Sequence, residues 1–306
     1  MRIVILGSGG VGGYFGGRLA AAGADVIFVA RGAQLAALRS NGLTIVSSRG
    51  NLHLARVRTA QSIAEIETAD LVMICVKLWD TETVARSLVP IAQRGAAIVS
   101  FQNGVQKDDL LRKYLPADAV MGGVCYIAAT ISEPGVIGHT GSIQRLVFGE
   151  YGGRRSARGE AFLQACLKAG IDAELSDGIE TPIWEKFVFL VGFSGTTARF
   201  GAPIGPIRED PEKRALLLEA MREVVSVGRA RGVPLRPEFA QERLAFCDTL
   251  PAQTTSSMHV DLQRGKPLEL PWLSGAVVDF GAELGIATPA NAAIVAALTP
   301  YVHGRQ

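Results

Sequence analysis

Residues 2–31 read "RIVILGSGGVGGYFGGRLAAAGADVIFVAR", and a chain that starts this way has few folds open to it. "RIVIL" is a short, β-branched apolar run closed at once by glycine, which is a strand signal. Val11 to Ala22 then suit a helix that stops at Gly23, and "ADVIFVAR" supplies a second strand. Strand, glycine turn, helix and strand in that order make a βαβ unit, whose crossover is nearly always right-handed. Within the turn, Gly7, Gly9 and Gly12 satisfy G-x-G-x-x-G. Such a match is weak alone and strong where it follows a strand and opens a helix. Gly7 makes the tight turn, Gly9 lets the backbone approach a pyrophosphate, and Gly12 lets helix and strand pack closely. The helix N-terminus then faces the phosphate charge. The loop Gly7, Ser8, Gly9, Gly10, Val11 and Gly12 is therefore expected to hold a dinucleotide.

The end of the second strand tells which dinucleotide. An NAD site usually places Asp or Glu there for the ribose 2′-hydroxyl. This strand ends in Ala30-Arg31, and an arginine fork suits a 2′-phosphate instead. The expected cofactor is NADPH. Further strand-like runs follow at Asp70–Lys77, Ala96–Gly104, Ala119–Thr130 and Ser142–Glu150, with helical stretches at Thr81–Leu88 and Lys107–Tyr114. The alternation predicts a parallel, helix-covered sheet whose ligands collect beyond the carboxyl ends of the strands. Lys77 and Asn103 stand at two such ends. Lys77 could reach phosphate, ribose or a substrate acid, and Asn103 could orient a carbonyl or carboxamide; a solvated loop and a local Asn-Gly turn are the plain alternatives.

The chain is long enough, at 306 residues and 48% hydrophobic, for two domains. A net charge of +2 argues against a nucleic-acid or membrane-surface partner. The four cysteines are scattered, with no CxxC and no metal-ligand spacing, so the chain reads as reduced, cytoplasmic and metal-free. No run reaches the length of a membrane span.

The second half reads as helical. Helices are expected at Pro211–Arg231, Pro237–Phe246, Pro271–Leu284 and Pro289–Leu298, and the domains divide as 1–177 and 178–306. Two charged residues stand out. Lys186 lies in "IWEKFVFLVGFSG", a segment otherwise built for burial, opened by Thr181 as N-cap and Pro182 at the first helical position. It either snorkels to water or serves a site. Glu269 sits between Leu268 and Leu270 and is either a surface residue or a buried acid with a partner. His53, His139, His259 and His303 occur in unrelated contexts, and none is assigned to catalysis.

Taken in order, "GSGGVGGYFGGRLA", "VARG", "VK", "QNGV", "PGVIGHTG", "WEKF", "SSMHVDLQRGKPLEL" and "GIATPAN" resemble the ketopantoate reductase (2-dehydropantoate 2-reductase) family over nearly the whole chain. The resemblance implies an α/β Rossmann-type N-terminal domain followed by an all-α C-terminal domain like that of 6-phosphogluconate dehydrogenase. It implies reduction of a small-molecule 2-oxo acid with NADPH, on the route to pantothenate and coenzyme A. By that resemblance Lys186 is the catalytic lysine and Glu269 the acid that bonds the substrate hydroxyl. Ser257 and Ser194 stand at substrate-binding positions, Asn103 at an active-site asparagine, and Gly7, Gly9, Gly12, Arg31 and Lys77 at cofactor positions. One departure bears on substrate: family members commonly carry asparagines four and eight residues after the lysine, where this chain has Leu190 and Ser194. A paralogue acting on another 2-oxo acid, and a cofactor-binding protein without catalysis, are the alternatives. A helical second half is compatible with a homodimer.

Overall fold

The computed structural model describes residues 1–304. The chain forms two compact units: residues 1–102 with 107–179, and residues 103–106 with the chain from Glu180 onward. A single boundary in sequence cannot express this division, because the four residues from Asn103 to Gln106 group with the helices and their flanks with the sheet.

The first unit carries ten strands: β1 (Arg2–Leu6), β2 (Asp25–Val29), β3 (Leu43–Ser47), β4 (Leu52–Leu54), β5 (Arg58–Ala60), β6 (Leu71–Ile74), β7 (Ala97–Ser100), β8 (Val120–Glu133), β9 (Val136–Glu150) and β10 (Asp172–Leu175). They form one sheet in the order β4-β3-β9-β8-β7-β6-β1-β2-β5, with β10 paired to β9. Five helices accompany it: α1 (Gly10–Ala21), α2 (Gly32–Asn41), α3 (Thr81–Gln93), α4 (Lys107–Arg112) and α5 (Ala157–Lys168). Strand alternation decides which helix packs where. Ile3 and Ile5 of β1 point into one core with Tyr14, Phe15 and Leu19 of α1 and Phe162 of α5. Val4 and Leu6 point into the other, with Val84, Leu88 and Ile91 of α3 and Leu111 of α4. With both faces covered, β6 is an unbroken apolar run and β7 is buried at every position.

The pairing corrects the expectation of a parallel sheet throughout. β1, β2, β5, β6, β7 and β8 are parallel neighbours, but β8 and β9 form a long antiparallel hairpin, and β3 pairs with β4 antiparallel. No helix-length segment separates β8 from β9, and a parallel return needs one. The β9 strand also begins at Val136, ahead of the expected Ser142. Two glycines in its first half, Gly138 and Gly141, mimic a loop in the sequence.

The second unit contains α6 (Glu180–Phe200), α7 (Ile204–Glu209), α8 (Pro211–Ala230), α9 (Phe239–Thr249), α10 (Ser257–Gln263), α11 (Ser274–Leu284) and α12 (Pro289–Leu298). Helix α6 is apolar almost all round and lies in the core with α8. The two helices approach closely because Gly192 has no side chain: a Cβ there would sit 2.5 Å from Met221 Cγ. The helix begins at Glu180, so Thr181 is not its N-cap, as the sequence suggested. Proline is tolerated anywhere in a first turn that lacks intrahelical N–H partners, so Pro182 does not fix the start to one residue. No described helix is long and apolar enough to cross a membrane.

His259 on α10 is 3% exposed and pairs through Nδ1 with Thr255 Oγ1 at 2.6 Å. Burial lowers its pKa from the usual 6.5. The folded state therefore resists a proton that the unfolded chain accepts. Stability should be full above the unfolded pKa and fall as pH drops below it, levelling once the folded pKa is passed. Melting temperature against pH for wild type and His259→Gln checks this: the variant should show a flatter acid limb, and equal slopes would acquit His259.

Candidate active site

The glycine loop has the local geometry its spacing predicts. Gly7 has φ of +104°, a left-handed value that favours glycine, and a Cβ at Gly12 would lie 2.2 Å from Gly7 O. Gly9 caps α1 with no side-chain bond, and nothing lies within 4 Å of where its Cβ would stand. The first bond of the helical ladder runs from Gly13 N to Gly9 O at 2.7 Å. The N–H groups of Gly10, Val11 and Gly12 thus precede the ladder, with no acid in the first turn. Positive dipole, unspent donors and an open side at Gly9 fit a dinucleotide pyrophosphate.

Ser8 plays a different part from its neighbours. It is 3% exposed, and its Oγ donates to Val29 O at 3.0 Å, which ties the loop to β2. Gln34 of α2 holds the same loop from the other side. Its Nε2 donates to Ser8 O at 2.9 Å, and its Oε1 accepts from Gly135 N at 2.9 Å. Sequence reasoning missed Gln34, since a glutamine on a short helix looks like any solvated residue. Arg31 is exposed at the N-cap of α2 and makes no salt bridge among the described residues. Lys77 is exposed beyond β6, its Nζ 5.6 Å from the centre of the Trp79 ring. Gln102 was also missed. It is 6% exposed and fully engaged, accepting from Ser100 Oγ and donating to Lys77 O and Thr81 Oγ1.

In the second unit, three of the expected residues meet. Lys186 Nζ, on the second turn of α6, donates to Asn103 Oδ1 at 2.9 Å. Asn103 Nδ2 donates onward to Glu269 Oε2 at 3.3 Å. The order is fixed by chemistry: an ammonium has only donors and a carboxylate only acceptors, so the amide must turn its oxygen to the lysine. Glu269 is 7% exposed, between Leu268 and Leu270 at 1% and 2%. It is therefore the buried acid with a partner, as one of its two readings had it, and burial without one would be costly. Lys186 is half-buried and directed at Asn103, which plain snorkelling does not require.

The remaining expected residues are spread out. Ser257 is exposed and opens α10. Its neighbour Ser256 is the buried one, accepting from His259 N at 3.1 Å and paired with Thr197 Oγ1 at 2.7 Å. Ser194 is fully buried, and its Oγ has no hydrogen-bond partner. Leu190 is half-buried, one turn on from Lys186 along the same face.

A glycine loop shaped for pyrophosphate and a lysine held by an amide that also binds a buried acid fit a class: an oxidoreductase with a dinucleotide-binding type of domain. Residues 3–153 match the family described as ketopantoate reductase PanE/ApbA, and residues 178–302 match its C-terminal counterpart. The 2-dehydropantoate 2-reductase of Archaeoglobus fulgidus is 35% identical, over 95% of this chain and 94% of its own. An uncharacterized oxidoreductase of Bacillus subtilis, YkpB, is 32% identical over 98% of this chain and 99% of its own. The crystal structure of 2-dehydropantoate 2-reductase from Geobacter metallireducens superposes with a TM-score of 0.91 at 29% identity, covering 98% of this chain and 99% of that one. The chain belongs to the ketopantoate reductase family, with a Rossmann-type first domain and a helical second one.

Proposed function

We propose that this protein reduces 2-dehydropantoate to pantoate with NADPH, and that Lys186 and Glu269 are its catalytic residues. The observation that carries the reading is the chain of contacts from Lys186 through Asn103 to Glu269. The nicotinamide, when bound, supplies the hydride that adds to the ketone carbon. As the carbonyl bond becomes a single bond, negative charge gathers on oxygen, and Lys186 stabilises it and donates the proton that completes the hydroxyl. The lysine regains its proton from solvent. Asn103 keeps the lysine head in place, and Glu269 orients both that amide and the new hydroxyl. Ser257, exposed where α10 begins, is the proposed contact for the substrate's polar end. Gly7, Gly9, Gly10, Val11 and Gly12 would hold the pyrophosphate by backbone, Ser8 would shape the loop, and Lys77 would serve the cofactor's polar groups. Arg31 would pair the 2′-phosphate that separates NADPH from NADH.

A second reading rests on a specific observation. Leu190 offers no hydrogen bond where an amide is common, and Ser194 is closed to solvent. A pocket bordered by Leu190, from which Ser194 is withdrawn, favours a less polar 2-oxo acid than 2-dehydropantoate. Steady-state reduction of a panel of short 2-oxo acids, with NADPH and then NADH, tests both. Highest kcat/KM for 2-dehydropantoate with NADPH supports the first reading. A higher value for an unhydroxylated branched acid moves the assignment to the second. No turnover on any of them, with NADPH bound, would sink the catalytic proposal.

A further inference from the structure

We propose that the sheet-bearing unit holds a second ligand site, for a small anion that also carries hydrogen-bond donors. A cavity of about 430 Å³ is lined by Tyr14 and Arg18 of α1, Ser48 and Arg49 after β3, Gln144 of β9 and Gly170 after α5. Arg18 lies about 12 Å along the helix from Gly10, at 1.5 Å per residue, so this is not the pyrophosphate position. The volume is in the range of small-molecule sites, about 300–1,000 Å³.

Three residues that line this cavity each carry a buried side-chain atom without a hydrogen-bond partner: Tyr14 OH, Arg18 Nε and Gln144 Oε1. Tyr14 is 0% exposed and Gln144 5%, so neither side chain is a solvated surface group. Both are held in place. The Tyr14 ring packs on His139 at 4.7 Å and lies under the Arg18 guanidinium at 5.2 Å. Gln144 Nε2 donates to Gly170 O at 2.9 Å, which leaves its oxygen as the orphan. Arg18 Nη2 donates to Gly50 O at 2.5 Å, which fixes the guanidinium while Nε stays unused. Neither Arg18 nor Arg49 has a salt bridge to an acid among the described residues. Buried polar groups in folded proteins are nearly always bonded, and three orphans at one cavity need an explanation.

The polarity of the orphans selects the ligand. Arg18 Nε–H can only donate, and with Arg49 it calls for an anion. Gln144 Oε1 can only accept, so the opposite part of the ligand must donate. The C-terminal end of α5, at Ala169 and Gly170, carries the negative end of the helix dipole and favours the same donor. Tyr14 OH serves either part. A phosphate or carboxylate with a hydroxyl close by meets all three atoms and also pairs the two guanidinium groups, which water does not.

Glycerol 3-phosphate is the probe, with methyl phosphate as the anion lacking hydroxyls and glycerol as the hydroxyls lacking an anion. Calorimetric titration of the full chain, with saturating NADPH to fill the pyrophosphate position, reads the affinities. Glycerol 3-phosphate should bind, and each fragment should bind about tenfold more weakly or worse, the effect of one lost charge-assisted bond. Arg49→Ala, at an exposed position, should weaken binding by a similar factor without changing the fold. Arg18→Met keeps the stem and should weaken it further. No binding of glycerol 3-phosphate would overturn the proposal and leave the cavity to water. So would binding that methyl phosphate equals, or that Arg49→Ala leaves unchanged, since the anion would then sit elsewhere.

Discussion

Lys186→Ala is expected to lower kcat for 2-oxo acid reduction by about 10³-fold while leaving NADPH affinity near wild type. The factor combines two losses. In the proposed reaction the developing oxyanion would lose its cation, and the hydroxyl would lose the group that protonates it. A methyl group also leaves Asn103 Oδ1 without its 2.9 Å donor, so the amide is free to turn away from Glu269. Stability should change little, because Lys186 is half-buried on a helix whose packing comes from Phe187, Val188 and Val191. Cofactor fluorescence titration, single-turnover kinetics and a melting curve separate these effects. A rate within tenfold of wild type would remove Lys186 from the chemistry; a lost fold would show in the melt instead. Lys186→Arg should restore only part of the rate, since guanidinium keeps the charge but is a poor proton donor.

Glu223→Leu should destabilise the protein by about 3–5 kcal/mol without touching the candidate active site. Glu223 lies on α8 and is 8% exposed, yet it makes no salt bridge among the described residues. Its Oε1 accepts from Ala290 N at 2.7 Å. Its Oε2 accepts from Asn291 N at 2.9 Å and from Asn291 Nδ2 at 2.7 Å. Those two backbone donors are in the first turn of α12, whose own N-cap, Thr288, contributes no side-chain bond. Glu223 is thus the cap of a helix more than sixty residues away, with |i−j| of 67 and 68. Leucine fills the space but orphans both N–H groups, each costing about 1–3 kcal/mol, and forfeits the carboxylate at a helix N-terminus. Urea unfolding measures the loss. Glu223→Gln, which keeps an acceptor, should fall between the two, and a Leu variant within 1 kcal/mol of wild type, on the order of the extrapolation error, would refute the capping role.

Much of this was legible in residue order. The strand, glycine turn and helix of residues 2–23 set the shape of the glycine loop, because a positive φ at Gly7 and a Cβ-free approach at Gly12 admit few alternatives. Helices α8 and α12 followed from apolar periodicity and proline starts, whereas α11 begins at Ser274, after a short 3₁₀ turn that holds the expected Pro271. Strand direction in the β8–β9 hairpin was not legible as a parallel sheet, since an alternating run has the same pattern whichever way it points. The start of α6 at Glu180 also escaped, because a proline marks a first turn and not a first residue.

The residues Lys186, Asn103 and Glu269 could be picked from the sequence as charges and amides out of place, but not as a group. Their separations of 83 and 166 residues carry no local signal, and only the fold turns them into contacts of 2.9 and 3.3 Å. The same holds for Gln34, Gln102 and Glu223, which look like ordinary polar residues until their partners are in place. Local sequence determined which elements form and which faces are apolar, because periodicity and turn chemistry act over a few residues. Tertiary structure alone decided which polar groups are buried together, because a hydrogen bond is made between neighbours in space, and burial is what makes each of them matter.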